Sequence, residues 1–512
     1  MNGAESLVHT LLASGIDTVF ANPGTSEMHF VAALDRIPGM HCVLCLSEGV
    51  VTGAADAYWR IARKPAATLL HCGPGLANGL ANLHNAMRAN SGVVNIVGDQ
   101  ATHHRPLDAP LTADVEGWAR PISAFVRRVT DAAHVGADAA AAIEAARCYP
   151  GQISTLILPA DTAWNYGGVA AVAATPALPT PCSSHVIDTA ARILRSGEPT
   201  MLILGNTVLS EAALLDAYRV VQSGNARMMA PRAPARIARG RGRVSVIRIP
   251  YPIDVALEAF AGIKHLILVG SPEPVSFFAY PGKPGRLYPE DCNVHVLART
   301  DEDGPAALAA LADALGAPKM TAPDPGPRPS PATGATTPER FARSLAALMP
   351  DNAIIIDEAI SFGRGFFPET YAAPPHDWMQ LTGGGIGDGI PMSVGASVAA
   401  PDRRVITLQG DGSAMYTVAG LWTQARARLN VTTIILSNRQ YAILRGELAG
   451  VGANPGPTAF SMLDLSNPDL DWPKIANGMG VDAAKAETLE ELNALLASSA
   501  GKSGPFLIEM VL

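Results

Sequence analysis

The chain has 512 residues, with 38 basic and 46 acidic side chains for a formal charge of −8, and 48% of its residues are hydrophobic against 16% charged. At roughly 100–200 residues per domain the length suits about three domains, and the composition is that of a folded α/β protein, not of a disordered chain or a small disulfide scaffold. An acidic balance lacks the electrostatic footprint of a nucleic-acid binder, so a small-molecule partner and no nucleic acid are expected.

From the start, Leu7, Val8, Leu11 and Leu12 fall at helical spacing, after which DTVFA reads as a strand and NPGTSE as a turn. HCVLCLSE reads as a buried strand running into the helix GVVTGAADAYWRIA. AATLLHC leads into a Gly-rich turn and helix, VVNIVGD into a loop carrying HHRPLDAPL, and TLILPAD closes the set. Strands alternating with helices predict a parallel sheet covered on both faces. The aperiodic, Pro-rich stretch GGVAAVAATPALPTPCSS has the composition of a linker. A second set follows through TMLILGN, ARMMAP, HLILVGS and NVHVLART, ending at TAPDPGPRPSPATGATTPER; AIIIDE, VITLQGDGS, TTIILSN and FLIEMVL are the strands of a third. The fold class expected is therefore α/β, with three doubly wound parallel-sheet domains over residues 1–168, 182–320 and 336–512.

The six cysteines are scattered, and the single C-x-x-C at Cys42 and Cys45 has no second pair at metal-site spacing, so free structural thiols in a reducing compartment are expected. There is no basic leader segment and no apolar run of the ~18 residues that a bilayer demands. A cytoplasmic protein without a membrane partner is the expectation.

The most informative segment is VITLQGDGSAMYTVAGLWTQARARLNVTTIILSNRQYAI. An apolar strand ends at Gly410-Asp411-Gly412-Ser413, and the next ends at Ser437-Asn438, which puts Asp411 and Asn438 at the carboxyl ends of strands, where open α/β sheets bind ligands. A carboxylate and an amide carbonyl are hard oxygen ligands suited to Mg²⁺, and the glycines allow backbone N–H groups to approach phosphate at a helix start. The step of 27 residues from Asp411 to Asn438 resembles the signature of thiamin diphosphate enzymes, GDG followed by a stretch of this length and Asn, often doubled. The resemblance implies thiamin diphosphate and Mg²⁺ as cofactors, with Asp411, Asn438 and the Gln440 carbonyl as metal ligands and Gly410, Gly412 and Ser413 on the diphosphate. It also names the three domains, in order, as pyrimidine-binding, middle and diphosphate-binding.

Upstream, LSEGVVTGAADAYWR places Glu48 between a strand and a helix, matching the family's cofactor-activating glutamate. Such a carboxylate bonds the aminopyrimidine and promotes loss of the thiazolium proton. The run Asn22-Pro23-Gly24-Thr25-Ser26-Glu27 and the segment LLHCGPGLANGLANLHNA resemble benzoylformate decarboxylase, which makes Thr25 the substrate-contacting hydroxyl and His71 the acid/base. LTGGGIGDGIP resembles the segment in which an apolar side chain bends the cofactor; Ile386 would be that wedge and the Gly384 carbonyl would accept from the cofactor's amino group. Ile443 and Leu444 would line the substrate pocket, with Glu447 one turn on and expected in solvent. Where benzoylformate decarboxylase has a second His, this chain has Phe277 and Phe278; His103 and His104 are loop candidates for a substitute donor. The missing acid slows protonation of the carbanion left by CO₂ loss, which favours transfer to a second carbonyl.

The resemblance covers essentially the whole chain and implies a 2-oxo acid lyase or carboligase, working as a homodimer or homotetramer with Glu48 of one subunit meeting the diphosphate held by another. The alternative is an acetolactate synthase-type transferase; the middle segment offers no G-x-G-x-x-G, so FAD is not expected. A non-catalytic nucleotide-binding relative is the reading from another class, and it would have to explain why Glu48, His71, Asp411 and Asn438 are all present.

Overall fold

The computed structural model describes all 512 residues, Met1–Leu512. Its first sheet contains β1 (Thr18–Ala21), β2 (His41–Leu44), β3 (Ala66–Leu70), β4 (Val93–Asp99), β5 (Phe125–Arg128) and β6 (Ile153–Pro159), all parallel, in the order β2-β1-β3-β4-β6-β5. The second holds β7 (Thr200–Leu204), β8 (Ala226–Ala230), β10 (Ile247–Arg248), β11 (His265–Val269) and β12 (Asn293–Ala298) in the order β10-β8-β7-β11-β12. Between them in sequence, β9 (Ile237–Arg239) leaves this sheet and adds to the third. That sheet has β13 (Ile354–Glu358), β14 (His376–Gln380), β15 (Val405–Gly410), β16 (Val431–Ser437), β17 (Asp482–Ala486) and β18 (Phe506–Val511), in the order β17-β18-β16-β15-β13-β14-β9.

Central strands such as β4 and β16 are buried along their whole length, as their near-continuous apolar sequences require when helices cover both faces. Two expectations need correction. HCVLCL is not a fully buried strand: β2 is an edge strand paired only with β1, so His41 and Cys42 are exposed while Val43 and Cys45 are buried. The third sheet is not purely parallel, because β9 pairs antiparallel with β14 in the register Arg239 to His376, tying the middle segment to the last sheet. A three-residue strand carries too short a pattern to be legible in sequence.

The first and third sheets share one apolar core, in which Val50, Val51 and Ala54 meet Met392, Val394 and Ala396. The helix Glu48–Ala62 crosses the helix Gly389–Ala399 so closely that a Cβ on Gly395 would fall 1.8 Å from the Ala54 carbonyl oxygen. Beside this crossing, buried Arg60 bonds Asp56 (Nε–Oδ1 2.8 Å) and donates to the Gln380 carbonyl at 2.7 Å, so its charge is paired and its remaining donors are used.

Candidate active site

The sheets present two clusters of chemically capable side chains. One lies at the carboxyl ends of β15 and β16, where Gly410, Asp411, Gly412, Ser413, Asn438, Gln440, Tyr441 and Ile443 line a single cleft. β15 ends in Gly410 and the chain turns at once into a short helix, Asp411–Ala414. Asp411 accepts from the Gly412 N–H at 2.8 Å and the Arg439 N–H at 2.6 Å, and the Asn438 side-chain Oδ1 accepts from the Gln440 N–H at 3.1 Å. Arg439 holds φ +55°, a conformation rare for a side-chain-bearing residue, which folds the Asn438–Gln440 backbone over Asp411. Burial pushes the Asp411 carboxyl above the ordinary aspartate value, and no cationic side chain pairs with it. A buried carboxylate beside the Asn438 side-chain oxygen and the unbonded Gln440 backbone carbonyl is a donor set that fits a hard divalent cation. Gly412 is equally constrained: a Cβ there would sit 2.5 Å from the Tyr441 ring.

The loop carrying Gly384 and Ile386 borders this cleft and is held from below. Buried Glu358 accepts from the N–H groups of Gly387 and Gly389, each at 2.6 Å, and the Thr417 hydroxyl donates to the Gly387 carbonyl at 2.6 Å. Asn85 accepts from the Gly385 N–H (3.0 Å) and donates to the Gly385 carbonyl (2.7 Å) and to Asp388 (2.9 Å). Burial pushes the Glu358 carboxyl up and the Asp388 carboxyl well above its ordinary value, the latter helped by the neighbouring Asp56 charge. Gly384 has φ +75°, and the tip of the Phe277 ring lies 2.8 Å from where its Cβ would be. Phe277 packs edge-on against Phe278 at 4.9 Å, and both rings are about half exposed.

Glu447 is not simply solvated. On the helix Ala442–Gly450 it accepts from the hydroxyls of Tyr251 (2.9 Å) and Tyr280 (3.0 Å), which reach it from the middle segment, while Leu444 is exposed on the same helix. Neither tyrosine carries a sequence signal for this contact, since the two lie far from Glu447 along the chain.

The second cluster belongs to the first sheet. Glu48 is 5% exposed at the first turn of its helix, capped by Ser47; Asn78 donates to it at 3.2 Å, and Gly75 makes room for its Oε1. His71 precedes the helix Cys72–Arg88, and its Nδ1 lies 2.9 Å from the carboxylate of fully buried Glu27. A ring nitrogen that close to a carboxylate carries the proton, which leaves Nε2 free to exchange one. The ring lies flat on Gly24, where a Cβ would fall 2.1 Å from its Cγ, and a Cβ on Gly98 would collide with Glu27. Glu27 also accepts from the Gly24 N–H at 2.8 Å and from the Ser26 hydroxyl. Thus Ser26, and not Thr25, faces His71 within the chain, with its hydroxyl 3.4 Å from Nδ1; Thr25 is exposed. Sequence reasoning passed over Ser26 and Glu27, although the Glu three residues after Gly24 in a turn was the available signal. Cys72, with φ +53°, adjoins Ser26 and its thiol is pushed up to about 11 by burial, which keeps it protonated. His103 and His104 are exposed, His103 beside Trp164.

Within one chain, Thr25, Glu48 and His71 do not line the Asp411 cleft. The chain therefore presents two separate half-constellations. No helix is long and apolar enough to cross a membrane.

Residues 1–118 match the thiamine pyrophosphate enzyme N-terminal TPP-binding domain, and residues 367–510 match the C-terminal TPP-binding domain. The chain is 51% identical over its whole length to a Mycobacterium tuberculosis protein, IlvX, named for an acetolactate synthase large subunit, covering 99% of it. It is 31% identical to benzoylformate decarboxylase of Pseudomonas aeruginosa over 97% of this chain and 96% of that protein. Among solved structures, the thiamine diphosphate-dependent 4-hydroxybenzoylformate decarboxylase of Rhodococcus jostii superposes with a TM-score of 0.86 at 25% identity, covering 99% of this chain and 98% of that one.

Proposed function

This chain belongs to the thiamine pyrophosphate enzymes, and we propose that it removes CO₂ from a 2-oxo acid and then either protonates the remaining fragment to an aldehyde or passes it to a second carbonyl. The observation that carries this reading is that one chain holds both a strand-end cleft of hard oxygen donors around Asp411 and a separate cluster of Glu27, Glu48 and His71. Thiamin diphosphate supplies the electron sink that makes CO₂ loss feasible. The residues of this chain do the rest. Asp411, the Asn438 carbonyl oxygen and the Gln440 carbonyl would hold Mg²⁺, while the Gly412 and Ser413 N–H groups and the Ser413 hydroxyl would face the diphosphate.

In this reading the clamped loop presents the Gly384 carbonyl and the stiff, β-branched Ile386 to the cofactor's rings. Glu48, desolvated and oriented by Asn78, holds a proton at Oε for exchange with the aminopyrimidine. His71 gives or takes a proton at Nε2, with Glu27 fixing the ring through Nδ1. Because the two clusters stand apart in one chain, the working site is assembled from two subunits, as a homodimer or homotetramer, with Thr25 brought against the substrate only there. Phe277, Phe278, Ile443 and Leu444 make the pocket wall apolar, and the domains divide near residues 168–182 and 320–336.

A second outcome, acetolactate synthase-type carboligation, is favoured by one feature. The wall at Phe277 and Phe278 offers two hydrocarbon rings where a second imidazole would supply a proton, which slows carbon protonation. Proton NMR of the holoenzyme with pyruvate and with benzoylformate, each with and without added aldehyde, tests both outcomes, with Glu48→Gln as the blank. Free aldehyde that vanishes in the blank supports the decarboxylase, and acetolactate or an acyloin supports the carboligase. Cofactor binding without turnover of either acid would overturn the assignment to simple 2-oxo acids.

A further inference from the structure

A cavity of about 340 Å³ opens between the first sheet's domain and the loop that follows β7, and none of the residues given a role above lines it. Its walls include Trp59, Arg63, Lys64, Arg147, Tyr149 and Thr207. The size falls within the ~300–1,000 Å³ typical of small-molecule sites. The lining is the reverse of the chain's overall acidic balance: three cationic side chains and no carboxylate.

The way these charges are satisfied singles out one of them. Lys64 is tied to Asp17 at 2.6 Å, and Arg147 donates to the Ser14 carbonyl. The nearby Asp377 is already shared by Arg236 (3.1 Å) and Arg403 (2.7 Å). Arg63, which ends the Glu48–Ala62 helix at φ +56°, has no ion-pair or hydrogen-bond partner for its guanidinium and stays open to solvent. Crowding by protein, with Arg236 nearby, holds it down at about 10, so it remains a full cation at neutral pH.

A neutral donor stands beside it. Tyr149 and Thr207 both line the cavity and bond each other through their hydroxyls at 2.6 Å, bridging its two sides. One hydroxyl of the pair spends its proton on the other, which keeps its own proton to donate. An unmatched guanidinium beside a hydroxyl donor, in a wall without a carboxylate, suits an oxyanion.

We propose that this cavity binds a small phosphate monoester, with Arg63 forking two of its oxygens and the spare proton of the Tyr149–Thr207 hydroxyl pair reaching the group from the side. A monoester carries nearly two negative charges and three acceptor oxygens, which matches a free guanidinium flanked by two further cations and a hydroxyl donor better than a monocarboxylate does. The site is distinct from the Asp411 cleft and its occupancy does not depend on the proposed reaction.

The test is calorimetric titration of holoenzyme saturated with thiamin diphosphate and Mg²⁺, using inorganic phosphate, glycerol 3-phosphate and adenosine 5′-phosphate, with glycerol and adenosine as uncharged controls. Binding of the phosphates at one site per chain is expected, weakening with salt and by about tenfold or more in Arg63→Gln, the loss of one charge-assisted pair. Arg63→Lys should recover part of it. Inorganic phosphate binding as well as the esters would mean that the anion alone is recognised; preference for one ester would show that the cavity also reads the organic part. A change in tryptophan fluorescence on binding should disappear in Trp59→Phe. Equal affinity in wild type and Arg63→Gln, or no heat with any phosphate at millimolar concentration, overturns the proposal. Turnover at saturating cofactor should be unaffected by Arg63→Gln, so failure of the proposed activity and failure of this site are separately visible.

Discussion

Replacing Glu27 by Gln tests the assignment of His71 most directly, because it leaves the shape of the site intact and changes only who can accept. Three donors converge on the Glu27 carboxylate: the Gly24 N–H at 2.8 Å, the Ser26 hydroxyl and the His71 Nδ1–H at 2.9 Å. Gln offers one carbonyl oxygen and turns an NH₂ toward whichever donor it does not serve. With the residue fully buried, no water replaces the lost acceptor. The His71 bond is charge-assisted, worth about 1.5–3 kcal/mol, and one tenfold step in rate is ~1.4 kcal/mol, so kcat/KM should fall about 10- to 150-fold. Steady-state decarboxylation measures that loss, and calorimetry with thiamin diphosphate should show unchanged cofactor binding. In a cycle with His71→Ala, the double variant should be no worse than His71→Ala alone, since Glu27 acts through the ring. A Glu27→Gln enzyme with wild-type kcat/KM, or one whose main defect is in cofactor affinity, would refute the reasoning.

Other consequences are equally concrete. Gly395→Ala places a methyl 1.8 Å from the Ala54 carbonyl oxygen, and such overpacking should cost about 1–3 kcal/mol, visible as a lowered Tm by scanning calorimetry; an unchanged Tm would contradict the close helix crossing. Buried His376 is held down at about 3 by desolvation and by Arg239, so between that value and ~6.5 the unfolded state binds a proton that the folded state does not. Stability should therefore decline as pH falls through this window, by about 2 kcal/mol from pH 7 to 5 for this group, as measured by urea unfolding; His376→Gln should remove that part of the slope. Phe278→His returns an acid to the pocket wall and should raise the ratio of aldehyde to acyloin in the NMR product assay, and an unchanged ratio would separate product choice from this position.

The three-sheet architecture was legible because most of its strands are apolar runs bounded by Gly, Pro or Asp, and alternation with helices implies parallel sheets. The Asp411 cleft was legible for a related reason: its residues are packed into two strand ends, and strand ends are where sequence and space stay in step. What escaped were relations between distant segments. β9 is too short to show a period, and its partner β14 is known only from the fold. Glu447 gave no hint of Tyr251 and Tyr280, whose hydroxyls arrive from another sheet. That the Ser26 hydroxyl lies beside His71 within the chain depends on backbone direction in a single tight turn, which residue type does not reveal.

One helix shows how such relations are organised. His71, Asn78 and Asn85 stand seven residues apart, so at 3.6 residues per turn they share a face of Cys72–Arg88 and its N-terminal cap, spread over roughly 20 Å. His71 meets Glu27 at one end, Asn78 bonds Glu48 in the middle, and Asn85 clamps the Gly385–Asp388 loop at the other. Asn82, on the same side, donates to the Gly49 carbonyl at 2.8 Å. An ordinary amphipathic helix would bury Leu or Ala along this face. Asn78 is exposed, but Asn82 and Asn85 are buried, which is tolerable only because each finds a partner, and those partners are groups that must be held in register. The same contacts join the first sheet's domain to the third sheet's loop, so a displacement of this helix would disturb proton handling, the Glu48 carboxylate and the Gly384–Ile386 loop together. That coupling explains why Asn82 and Asn85 occupy buried helical positions where stability alone would favour hydrocarbon.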